Sequence, residues 1–64
     1  MEAMPEFVKD ARGKLNLSQE RFGQRLGVNR HTIMRYEQGK PMPERMRLAI
    51  LRLLDEDRRE RRRR

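Results

Sequence analysis

Arg30, His31, Met34 and Arg35 follow one another at spacings of one, three and one. On an α-helix those spacings put all four side chains on the same side, and that side is polar and basic. Two fixed guanidinium charges and an imidazole are equipment for holding an anion rather than for turning a substrate over. His31 is the only histidine, the chain has no cysteine, and no acid adjoins His31 at a ligand spacing. A zinc site or a general base is therefore not supported there. No activated nucleophile, metal cluster or phosphate loop occurs elsewhere, which argues against an enzyme and against any cofactor. The net charge of +7 agrees with a polyanionic partner, although charge alone does not choose among nucleic acid, membrane and acidic protein.

The elements that must position these residues lie between Leu17 and Lys40, which reads as two short helices joined by a tight turn. Ser18 can cap the first, its hydroxyl accepting from a free backbone N–H of the first turn. Phe22 and Leu26 stand four apart on the inner face of that helix. Gly27 suits the left-handed backbone that closes a helix, Val28 tucks apolar surface under the turn, and Asn29 caps the next helix. The second helix runs from Arg30 to about Gln38, with Ile33 and Tyr36 inward, and Gly39 stops it. The whole is a helix-turn-helix over about 18–38, and so a candidate DNA reader.

The pattern L-S-Q-E, then G-V-N-R-x-T-I, then R-Y-E-Q-G-K with a following proline, resembles the helix-turn-helix domain of the phage repressor and Cro-like (Xre-type) regulators. The resemblance covers Arg12 to Pro43 and continues loosely to Leu54. It implies sequence-specific binding of double-stranded operator DNA, usually by a dimer, with the second motif helix in the major groove. Arg30, His31 and Arg35 match the family positions that face base edges, where arginine offers two parallel donors to guanine O6 and N7. Met34, beside them, can offer apolar contact, for instance to a thymine methyl. Gln19 matches a glutamine that touches a phosphate or a base at the edge of the site, and Gln38 and Lys40 match phosphate-holding positions past the recognition helix. Thr32 flanks the reading residues as a positioning contact. Arg12 and Glu37 match an ion pair between helix one and the recognition helix. Gly23 replaces the family's more usual alanine.

Sixty-four residues make one domain, and a chain of that size buries only roughly 60% of its unfolded surface. With 34% hydrophobic residues and no disulfide, marginal stability is expected. Before the motif, Met1 to Pro5 reads as a frayed start. Met4, Phe7, Val8, Ala11 and Leu15 then form one helical apolar stripe, ended at Asn16. After the motif, Pro41 and Pro43 bracket Met42 in a rigid loop. A last helix runs from Glu44 to at least Leu54, with Met46, Ala49, Ile50 and Leu53 inward. The expected fold is all-α, a compact four-helix domain of the lambda-repressor-like type over residues 1–54, with a flexible basic tail over 55–64.

Leu48, Leu51 and Leu54 fall outside the inward stripe. Such a surplus suggests a second interface, and a twofold homodimer is the commonest way to cover one; packing of Leu51 and Leu54 on helix one is the competing reading. The tail, DEDRRERRRR, could grip phosphates or simply aid solubility. The amino end is acidic and has no apolar core, so neither a signal peptide nor a membrane span is expected. The resulting expectation is a cytoplasmic, prokaryotic or phage-encoded repressor, nucleoid-associated when bound, that occupies an inverted-repeat operator, with its own operon as a candidate target. Two other classes fit the same residues. One is an antitoxin-type or other partner-binding protein with this fold, and the other is a non-specific nucleic-acid binder that uses the tail.

Overall fold

The computed structural model describes residues 2–62. Four helices follow one another: α1 (Pro5–Leu15), α2 (Gln19–Leu26), α3 (Arg30–Glu37) and α4 (Glu44–Arg62). They are joined by a two-stranded antiparallel ribbon of β1 (Glu2–Ala3) and β2 (Pro41–Met42), with Glu2 opposite Met42 and Ala3 opposite Pro41. The sequence suggests fraying at the amino end and a rigid loop at Pro41; the structure instead pairs the two. Proline is tolerated in a strand without an outer neighbour because its missing N–H is not needed there. The pairing also turns Met42 inward, 3% exposed.

One core holds the helices together. Val8 and Ala11 from α1, Phe22 from α2, Ile33 from α3, Met42, and Met46 and Ile50 from α4 are buried. Met4, Phe7, Leu15, Leu17, Leu26, Val28, Tyr36, Leu53 and Leu54 pack partly buried around them. The stripes of α1 and α4 are thus the inner surfaces that clamp the motif between them. Leu54 belongs to this shell, whereas Leu48 and Leu51 remain exposed.

Each helix ends where its local chemistry dictates. Asn16, with φ 56°, closes α1 in the left-handed region, an arrangement asparagine tolerates better than most side chains. Ser18 Oγ accepts from the Arg21 amide at 3.1 Å and Asn29 Oδ1 from the His31 amide at 2.8 Å, so both motif helices carry side-chain caps.

The segment expected to be a flexible tail from Asp55 is helical as far as Arg62. Asp55 pairs with Arg58 at 3.0 Å and with Arg59 at 3.2 Å, and Asp57 pairs with Arg61 at 2.9 Å. Acids placed three or four residues before bases support a helix through such contacts, each by about 0.2–0.5 kcal/mol. Arginines in the last turn also complement the negative end of the helix dipole. Arg63 and Arg64 of the expected tail lie outside the described residues.

Candidate nucleic-acid interface

Tight approach between α2 and the turn that follows sets the angle of the motif. The Val28 amide donates to the Gly23 carbonyl at 2.8 Å, and a Cβ built on Gly23 would lie 2.7 Å from the Val28 carbonyl oxygen. Even alanine is too large there without a backbone shift, so glycine at this position is a packing requirement.

A second constraint fixes α3 from below. Arg12, late in α1, donates from Nε to Glu37 Oε2 at 2.7 Å and from Nη2 to Glu37 Oε1 at 3.2 Å. Its Nη1 donates to the Leu17 carbonyl at 3.2 Å. Gln19 Nε2 completes the set by donating to Glu37 Oε1 at 3.2 Å. Glu37 is 8% exposed, so its charge is removed from water and held by donors from α1 and α2. Removal of a carboxylate from solvent is tolerable only with such partners. One side chain near the end of α3 therefore ties three helices.

With Ile33 and Glu37 turned inward, Arg30, His31 and Arg35 are exposed on the outer side of α3, and Met34 is half-buried beside them. The His31 ring Nδ1 lies 3.1 Å from Asn29 Oδ1, the same oxygen that caps the helix. That contact anchors the imidazole near the amino end of α3, where backbone amides also face outward. Arg30 borders a shallow hollow with Glu20, Gln24, Val28 and Asn29. Arg35 borders a different one with Thr32, Tyr36, Lys40 and Pro41. The two arginines therefore face different surroundings, Arg30 near an acid and Arg35 near a second cation.

Beyond α3, Gly39 takes φ 99°, and the Lys40 amide donates to the Arg35 carbonyl at 3.0 Å. This turn brings Lys40, exposed, to the rim that Arg35 occupies. Gln38 is exposed at the cap of α3. Gln19 gives one of its two amide hydrogens to Glu37 and keeps the other, with its carbonyl, for an outside partner. Tyr36 is an addition. Read as inward from its spacing, it packs on the core and also lines the Arg35 hollow, as an amphipathic ring with a polar tip does. The signal in the sequence was the residue type, since a phenol among core positions usually keeps its hydroxyl at a wet edge.

The expected dimer face is divided. Leu48 is 52% and Leu51 40% exposed, while Leu54 rests on the core. Leu51 and Leu54 together floor a hollow between α1 and α4, beside Lys14, Asp55 and Arg58.

Two capped helices across a glycine turn, with a basic outer side on the second, define a helix-turn-helix of the kind that places its second helix in the major groove. Residues 5–63 match the family described as helix-turn-helix domain, and the chain belongs to that family, a class of DNA-binding domains. No curated protein and no solved structure matches the chain. No helix among the described residues is long and apolar enough to cross a membrane.

Proposed function

We propose that this protein is a sequence-specific transcriptional regulator of the phage repressor and Cro-like type, acting as a repressor. The observation that carries the reading is the presentation of α3. Its inner side is locked by Ile33 and the Arg12–Glu37–Gln19 network, and its outer side offers Arg30, His31, Met34 and Arg35 together. These four read base edges, with at least one guanine per half-site taken by an arginine fork. Thr32, Gln38, Lys40 and the second amide N–H of Gln19 position the protein on phosphates, which fix register without reading sequence. Two copies occupy an inverted repeat as a homodimer, with half-sites about 34–36 Å apart, and block promoter DNA, including that of their own operon. Selection of bound sites from random duplex DNA at near-physiological salt tests this, because affinity without a stated salt concentration does not report specificity. Enrichment of a guanine-containing inverted repeat is expected. Absence of enrichment, with binding that vanishes as salt rises, would leave only a basic peptide on a polyanion.

A further inference from the structure

None of the residues proposed above to read or grip DNA lies on α4. Leu48 and Leu51, one turn apart, are its two exposed large apolar side chains. The hollow floored by Leu51 and Leu54 continues that apolar surface toward Lys14. Around it stand Arg45 and Arg52, three before and four after Leu48 and hence on its side of the helix. Arg47, Arg58, Arg59 and Arg61 each hold an acid of α4. Lys14, Arg45 and Arg52 form no ion pair among the described residues. The leucine row thus has three unpaired cations at its borders, while Asp55 and Asp57, which also line the hollow, are held by Arg58, Arg59 and Arg61.

We propose that this face is a docking surface for an acidic amphipathic helix of another protein. The partner lays apolar side chains, three or four residues apart, over Leu48 and Leu51 and into the hollow at Leu54, the usual way a helix seats in a groove. Its flanking carboxylates meet Lys14, Arg45 and Arg52. Charge complementarity chooses this occupant over the alternatives. Arg45 and Arg52, neither of them in an ion pair among the described residues, stand seven residues apart along one edge of the leucine row. Pairing the face with a second copy would set that edge against its own like charges, so the homodimer proposed above closes elsewhere than over Leu48 and Leu51. A lipid surface fits less well, because an interfacial helix buries a broad apolar face. The broad face of α4, Met46 and Ile50 with Leu53, is already spent on the core.

The test titrates the full chain against a labelled synthetic helix carrying leucines at three- and four-residue spacing and glutamates on the flanks. It is read by fluorescence anisotropy at about 0.15 M salt. Two control peptides replace the leucines by glutamine or the glutamates by lysine. The acidic leucine peptide is expected to bind and both controls to fail. The double variants Leu48→Gln with Leu51→Gln, and Arg45→Gln with Arg52→Gln, should each weaken binding roughly tenfold or more while helical circular dichroism stays unchanged. The leucine variant should bind duplex DNA as the parent does, which separates this surface from the DNA-reading face. Equal binding of the leucine-free peptide would reduce the contact to bulk charge and overturn the proposal. So would stronger, leucine-dependent binding to phosphatidylglycerol vesicles. Sedimentation equilibrium of the chain alone supplies the third contrary result, a dimer that the leucine variant dissociates.

Discussion

The Arg12 guanidinium lies side-on to the Glu37 carboxylate, with Nε 2.7 Å from Oε2 and Nη2 3.2 Å from Oε1, so that one ion pair joins the end of α1 to the last turn of α3. The acid is 8% exposed and Arg12 is half-buried. Loss of the negative charge would strand a cation between helices and leave the amide of Gln19 facing a weaker acceptor. Glu37→Gln should therefore lower stability by about 2 kcal/mol, above the ~1 kcal/mol ceiling of a surface pair and below the 3–5 kcal/mol of a fully buried one. Urea unfolding at neutral pH checks this. An unchanged midpoint would mean that the pair contributes nothing.

Two glycines should answer the same substitution with opposite signs. Gly13 is in α1 with nothing within 4 Å of an added Cβ, whereas Gly23 would set one 2.7 Å from the Val28 carbonyl oxygen. Gly13→Ala should stabilise by up to about 1 kcal/mol through helix propensity. Gly23→Ala gains the same propensity and loses more, with a net cost of about 1–2 kcal/mol from forced backbone movement. Thermal melting of the two variants side by side is the check, and two shifts of equal sign would contradict the close approach.

The carboxyl-terminal turns of α4 rest on charge pairs. Asp55→Asn weakens contacts to both Arg58 and Arg59, and a loss of a few tenths of a kcal/mol per pair is expected. Faster amide exchange over residues 56–62, with Ile50 unchanged, is the expected pattern. Rising salt should act in the same direction.

At the other end of α4, the hydrogen bond from Arg47, joined by its charge, holds the Glu44 carboxyl below its ordinary value of 4.5, although both groups lie at the surface. A depressed carboxyl contributes stability above its unfolded value, and that contribution fades as pH falls through the lowered folded value. Titration followed by NMR should show Glu44 protonating at lower pH than it does in Arg47→Gln.

The motif was legible because its signals are local. Ser18, Asn29, Asn16 and Gly27 are caps whose chemistry depends on the next few residues, and the stripes containing Val8, Ala11, Met46 and Ile50 follow from helical period alone. The ribbon was not legible, since two-residue strands carry no period and Ala3 meets Pro41 far along the chain. Nor was the full length of α4, because DEDRRERR lacks apolar periodicity and its support appears only once its pairs are set in helical register. Gln19 shows the limit for site residues. Its type and position suggested a phosphate contact, and nothing nearby in sequence announces Glu37 as the acceptor of its amide.

Lys40 and Arg35 share a rim and should behave differently on DNA. Lys40→Ala is expected to weaken all duplexes about equally and to reduce the salt slope by about 1, as loss of a phosphate contact does.

Arg35→Ala tests the central claim, that the outer side of α3 reads bases. Its affinity should be measured for the best selected site and for random duplex DNA at one near-physiological salt concentration. The proposed role predicts a loss of about 1–3 kcal/mol on the selected site and little change on random DNA, with relaxed preference at one guanine. An equal loss on both would make Arg35 a phosphate contact and would contradict base reading by α3.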